Sequence, residues 1–424
     1  MQSLAIIGTG IAGKGCGHFL QKEFDLTFYE KNDYVGGHTN TISVDEDGKE
    51  VFFDTGFMVF NHATYPYLCK LFDELKVETK KTSMSFSVQH VPSGLEYCGS
   101  GFNGLFAQRR NIFSRKYVRL LKQISLFNRI ANDIIKNESA SEPDLRLHSD
   151  NIEEFCAQHG LGEEFIEKYL IPMSGAVWST PPDKMRAFPA YTLIRFFHNH
   201  GFLGLNTQHQ WWTVVGGSKN YRDKLIAPFK ERIRVSEAAL SVRRETDGVV
   251  VRSKSGEKKF DRVIFACHGD EAFELLQNKT ELETSLLRCF QYQRNKATIH
   301  TDENVMPKTK RAWSSWNYRI SNEGTYEPST IYWMNSLQGV SDKKNYFVSI
   351  NDANEVDAKK IIREIDYTHP LFDVKAMEAQ KHLPELNMNG PVYFCGSYFR
   401  YGFHEDAFMS SVLLCESILG RKLL

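Results

Sequence analysis

Leu4-Ala5-Ile6-Ile7-Gly8-Thr9-Gly10-Ile11-Ala12-Gly13, near the start of the chain, decides the fold. Its first four residues form the apolar run expected of a strand buried on both faces. The G-x-G-x-x-G that follows opens into a helical pattern reaching Lys22. Each glycine there has its own task. Gly8 permits the tight turn, Gly10 lets backbone approach a pyrophosphate, and Gly13 lets helix and strand pack closely. The helix N-terminus adds oriented N–H groups and a dipole that favours an anion. A second apolar run, Leu26-Thr27-Phe28-Tyr29, ends at Glu30, about twenty residues after the loop, where an acid grips a ribose hydroxyl. Strand, loop, helix, strand and acid in this order predict a dinucleotide-binding unit.

The next residues narrow the dinucleotide. Asn32-Asp33-Tyr34-Val35-Gly36-Gly37-His38-Thr39 extends the motif to E-x-x-x-x-x-G-G, and Asp54-Thr55-Gly56-Phe57 is a further acidic turn after a strand. At the far end, Val392-Tyr393-Phe394-Cys395-Gly396 is an apolar strand closing on glycine. Gly402-Phe403-His404-Glu405-Asp406-Ala407 then leads into a helical pattern to Leu419. A nicotinamide domain has no need of this C-terminal return. A flavin dinucleotide does, because one fold holds its ADP half and a distant helix caps its flavin half. FAD is the expected cofactor.

With these motifs in place, the chain resembles the flavin-containing amine oxidase, phytoene desaturase and protoporphyrinogen oxidase superfamily. More narrowly, it resembles a bacterial NAD/FAD-binding branch often encoded beside cyclopropane-fatty-acid-synthase-like methyltransferases. The resemblance runs nearly end to end. Stretches that carry it include Asp54 to Asn61, Gly99 to Asn111, Ile171-Pro172-Met173, Val177 to Pro181, Thr213 to Ser218, Arg311 to Tyr318 and Tyr401 to Asp406. It implies Gly8, Gly10 and Gly13 at the pyrophosphate and Glu30 on the adenosine ribose. Gly36, Gly37, His38 and Thr39 should line the pyrophosphate and ribityl side, with the adenine near Ala239. Gly396, Glu405, Asp406 and Ala407 should meet the ribityl chain and the pyrimidine edge. His38 stands where amine oxidases commonly carry arginine, which leaves the phosphate contact there open. No cysteine sits at a clear attachment position, so non-covalent FAD is expected.

The implied fold class is α/β: a two-dinucleotide-binding-domain flavoprotein whose Rossmann-like FAD domain is discontinuous, with an α+β substrate domain. Residues 1–90, 207–290 and 391–424 form the first. Residues 91–206, largely helical, and 291–390 form the second. Asn137 to Asp144 is the longest polar linker. The length of 424 residues fits such a division.

Hydride removal by a flavin needs little acid–base machinery. Three residues are the catalytic candidates. Lys296 lies in a strand pattern like the one that carries the amine oxidases' lysine near flavin N5, where it holds a water used in reoxidation; a surface lysine beside Arg294 is the plainer reading. Phe403 falls where that family places one aromatic of its flavin-facing cage. His404 suits an acid or base near the flavin, or a histidine satisfied by backbone at a helix start. Trp211, Trp212, Trp313, Trp316 and Trp333 are candidates for an apolar tunnel or plain core. No nucleophile–histidine arrangement and no metal-ligand spacing is visible.

Fifty-two Lys and Arg balance 52 Asp and Glu, which excludes a general nucleic-acid binder. The eight cysteines are scattered without a C-x-x-C pair, so neither a zinc knuckle nor a disulfide framework is expected, and a reducing compartment is. No apolar window approaches the roughly eighteen residues of a spanning helix, and no leader pattern is visible. A cytoplasmic protein is expected. Charge is nevertheless uneven. Residues 105–136 hold eight basic side chains and one acid, Asp133. At helical spacing, Arg115, Arg119, Lys122, Arg129 and Lys136 share one side, opposite Leu120, Ile124, Phe127 and Ala131. A solvated basic face or a dock for anionic lipid at the inner membrane surface both fit. The expected function is FAD-dependent oxidation or desaturation of a lipid acyl chain. A flavin amine oxidase and a non-redox fatty-acid isomerase are the alternatives. A small-molecule or lipid substrate, a membrane surface through 105–136 and a second copy of the chain are the expected partners, with no nucleic acid.

Overall fold

The computed structural model describes residues 1–138, 150–204, 207–321, 328–352 and 355–424. The expected linker from Asn137 to Asp144 lies, beyond Glu138, outside them. Strand β1 (Gln2–Ile7), helix α1 (Ile11–Leu20) and strand β2 (Phe24–Tyr29) form the predicted unit. They sit in a five-stranded parallel sheet in the order Ile233–Arg234, β2, β1, Arg262–Phe265, Val392–Phe394. Leu4, Ala5 and Ile6 are fully buried at its centre, as an apolar strand covered on both faces must be. The last strand comes from the far end of the sequence. It delivers the C-terminal helix α3 (His404–Leu419) against α1, where Phe19 stacks on Phe408. Between them, the basic helix α2 spans Arg115–Glu138.

The stretch from Val235 to Ala266 divides in two. Ala239–Glu245, Gly248–Ser253 and Gly256–Phe260 form a separate antiparallel meander, and only Arg262–Phe265 joins the parallel sheet. A seven-stranded sheet carries the rest, in the order Ile361–Leu371, Gln291–His300, Phe347–Ile350, Ser329–Trp333, Trp316–Ile320, Phe86–His90, Leu95–Cys98. Phe86–His90, placed by sequence in the first domain, is therefore a strand of this second sheet. It pairs in parallel with Trp316–Ile320, a partner some 230 residues away that local pattern does not reveal.

The described residues among 91–206 are largely helical. The basic segment 105–136 is not one helix, because α2 begins only at Arg115, after the short helix Gly101–Leu105 and a 3₁₀ turn at Arg109–Phe113. Its apolar stripe, Tyr117, Leu120, Phe127 and Ala131, is buried in the main core, and Arg115, Arg119, Lys122, Arg129 and Lys136 are exposed. Among the described residues no helix is long and apolar enough to cross a membrane.

Candidate active site

A cavity of about 720 Å³ runs from the glycine loop, past the end of β2 and the N-terminus of α3, to the seven-stranded sheet. Its floor is made by glycines. Gly8 has φ +100°, and a Cβ there would lie 2.7 Å from the Ala266 carbonyl oxygen. A Cβ on Gly13 would fall 2.1 Å from the Gly8 oxygen, so Gly13 allows helix and strand to touch but does not itself line the cavity. Gly10 differs, since a Cβ there would meet nothing within 4 Å. Gly37 faces it, with its own Cβ position 3.3 Å from the Gly10 Cα. No side chain caps α1, so its first N–H groups are left for an anion at this spot.

Glu30 lies on the cavity wall at the end of β2. It accepts hydrogen bonds from the Thr9 N–H at 3.1 Å and the Asn32 N–H at 2.9 Å, which fix its carboxylate in place. Ala239 borders the same end, and Gly396 and Ala407 border the other. His38 also lines the cavity, stacked on Tyr367 at 4.8 Å. Its Nε2 is buried without a protein partner, and burial together with His369 and His268 holds its pKa well below the usual imidazole range. A neutral ring with an unused nitrogen can receive a ligand group; it cannot replace arginine as a cation.

Besides Gly13, four expected contacts fall elsewhere. Gly36 and Thr39 lie behind the wall: Gly36 makes the turn that Thr39 closes through its N–H to the Gly36 oxygen. Glu405 accepts from the N–H groups of Tyr67 and Leu68, at 2.8 and 2.9 Å, at the start of helix Pro66–Glu74. Asp406 accepts from the Phe403 N–H at 2.9 Å, closing the first turn of α3. Both carboxylates serve helix ends, and burial raises them to about 7 and about 6 respectively. Lys296, expected beside the flavin, is outside the cavity as well. It is exposed and ion-paired with Glu364 at 3.2 Å, because its position on Gln291–His300 turns it to the outer face of the sheet.

Phe403 and His404 do line the cavity. Phe403 stacks on Phe196 at 5.2 Å, and Trp178 lies 6.3 Å away. His200, Phe202 and Trp211 continue this wall, Trp316 and Tyr332 line it from the seven-stranded sheet, and Met84 lines it from the segment just before Phe86–His90. Of the five tryptophans that were candidates for a tunnel or plain core, Trp211 and Trp316 line the cavity. Trp212, Trp313 and Trp333 do not. Trp178, from the stretch Val177 to Pro181 that carries the family resemblance, does.

His404 stacks on Phe57 at 3.9 Å and heads a buried chain of polar groups. Its Nε2 lies 2.5 Å from the Tyr221 hydroxyl, which lies 2.6 Å from the Thr39 hydroxyl, which accepts from the Lys14 ammonium at 2.9 Å. Lys14 is fully buried, and desolvation, followed by Arg222, drives its pKa well below the lysine range. Desolvation, then Lys14 and His38, does the same for His404. Sequence did not point to this chain, for its members come from three distant segments and Lys14 reads as an ordinary helix residue.

The fold and this cavity define a flavoprotein of the two-dinucleotide type. A model of the flavin containing amine oxidoreductase family matches residues 18–360, and the chain belongs to that family. It is an FAD-dependent oxidoreductase. Solved structures agree in fold. Putrescine oxidase bound to putrescine is 13% identical, with a TM-score of 0.72 and 99% of each chain covered. Cyclohexylamine oxidase from Brevibacterium oxydans IH-35A is 13% identical, at 0.68 and 99% of each chain. A CLA-producing fatty acid isomerase from P. acnes is 13% identical, at 0.64 and 97% of each chain. None of the curated proteins matches the chain by sequence.

Proposed function

We propose that the protein removes a hydride from an apolar substrate, the acyl chain of a lipid, with FAD held non-covalently in the cavity. One observation carries this reading. Among the described residues, the chamber built from Met84, Trp178, Phe196, Phe202, Trp211 and Phe403 has no carboxylate on its wall; the acids that border the cavity are Glu30, Asp270, Glu271, Glu274 and Asp366. A protonated amine would enter this chamber without a counter-ion, at a desolvation penalty of several kcal/mol. An acyl chain loses only water, at a gain of about 0.8 kcal/mol per buried methylene. The same scaffold serves a fatty acid isomerase in P. acnes.

In this reading Gly8, Gly10 and Gly37 hold the pyrophosphate at the uncapped start of α1, Glu30 the adenosine ribose and Ala239 the adenine. Gly396 and Ala407 flank the flavin half. FAD, when bound, supplies the hydride acceptor. The protein excludes water with its aromatic wall, and His404, neutral at neutral pH, takes the proton that leaves the substrate and shares it with Tyr221. Burial holds the Cys267 thiol protonated at the cavity edge, where it is inert toward attachment. Incubation with lipid extract in air, followed by mass analysis, tests the reaction. An acyl product lighter by two hydrogens is expected. A product of unchanged mass with a moved double bond, or conversion of amines alone, overturns it.

A further inference from the structure

A second cleft, of about 550 Å³, opens on the other side of the cavity wall. Ser83, Ser85, Ser100, Asn103, Arg109 and Arg311 line it. Met84, between two of these serines, lines the main cavity instead, as alternating side chains of an extended segment do. One thickness of chain therefore separates the two spaces. Arg109 is oriented by the Asn103 side-chain oxygen at 2.7 Å and the Phe106 carbonyl at 3.0 Å. Both guanidinium groups belong to exposed residues, and among the described residues neither makes an ion pair.

The surface around this cleft has an unusual composition. Residues 101–122 contain no acid and six cations: Arg109, Arg110, Arg115, Lys116, Arg119 and Lys122. Among the described residues none of the six pairs with a carboxylate, and all are exposed. Set among them are bare apolar side chains: Phe113 at 90% exposure, Phe102 at 65%, Ile112 and Val118. A solvated basic helix face accounts for the cations. It does not account for two exposed phenyl rings at the same end, which lose free energy in water. Cations beside exposed aromatics match an anionic bilayer, whose surface attracts the charges and whose acyl boundary buries the rings.

We infer that residues 101–122 dock the protein on an anionic phospholipid bilayer, with a headgroup phosphate seated between Arg109 and Arg311. From that seat the acyl chain reaches the main cavity by displacing Met84, so the assignment of the bound lipid as substrate rests on the function proposed above. The docking face does not.

Sedimentation with vesicles of phosphatidylcholine alone or mixed with phosphatidylglycerol tests the proposal, using the flavin-loaded protein. Wild type should bind the mixed vesicles at low salt and the neutral ones at least about tenfold more weakly. Arg109→Gln with Arg311→Gln, and separately Phe102→Ser with Phe113→Ser, should each reduce binding to mixed vesicles by about tenfold, with unchanged circular dichroism. Equal binding to both vesicle types, or undiminished binding by either double variant, overturns the inference. Release by inorganic phosphate at matched ionic strength marks a free-phosphate site and overturns it too. Because no redox step is read, failure here is distinct from failure to oxidise detergent-solubilised lipid.

Discussion

The Tyr221 hydroxyl stands 2.5 Å from Nε2 of His404, joining the cavity to a buried path that ends at Lys14. Tyr221→Phe keeps the ring that packs against Phe57 and Phe72 and removes only this link. Turnover should fall by about tenfold to a hundredfold, with KM and flavin content little changed. Steady-state kinetics across pH check this; an unchanged kcat at every pH removes the path from the reaction.

Lys14 makes no ion pair among the described residues, the charges of Asp223 and Glu30 only partly offset its desolvation, and its burial separates stability from function. Its folded pKa lies below 10.5, so the folded chain binds fewer protons than the unfolded one between those values. Folded stability is therefore depressed below the folded pKa and recovers as pH rises toward 10.5. Lys14→Met should melt higher than wild type at neutral pH, and the gap should narrow at alkaline pH. Removing the cation also lets the His404 pKa rise, so the acid limb of the rate profile should move to higher pH. Calorimetry and a pH–rate profile read the two effects. A lower melting temperature for the variant contradicts this account of Lys14.

Gly10 and Gly13 look alike in the motif and predict opposite failures. Gly10→Ala adds a Cβ that meets no protein atom within 4 Å, so the variant should fold normally and emerge with little bound flavin. Gly13→Val forces side-chain atoms onto the Gly8 carbonyl and should not fold stably. Circular dichroism and the visible flavin spectrum separate the outcomes.

Lys296→Met should leave flavin reoxidation by oxygen within about twofold, and exposed pairs such as Lys296–Glu364 contribute only about 0–1 kcal/mol. Stopped-flow reoxidation of the reduced protein measures it. A loss of tenfold or more would return Lys296 to the flavin.

Local sequence carried the dinucleotide unit because every part of it lies within thirty residues and each glycine has a backbone reason. His404 and Phe403 were also legible, as they open a helix that a C-terminal strand delivers. Long-range registry was not. Nothing near Phe86 shows that it pairs with Trp316, and strand alternation at Lys296 does not say which face is inward. Glu405 and Asp406 were misplaced for a related reason. An acid at a helix start satisfies backbone N–H groups as readily as a ligand: Glu405 takes those of distant Tyr67 and Leu68, and Asp406 that of Phe403.

Anaerobic mixing of the oxidised protein with phospholipid in detergent, followed through the visible flavin absorbance, tests the central claim most directly. Acyl lipids should bleach the flavin in a single turnover, and simple alkyl amines and diamines should leave it yellow. Bleaching by amines with none by lipids would contradict the account.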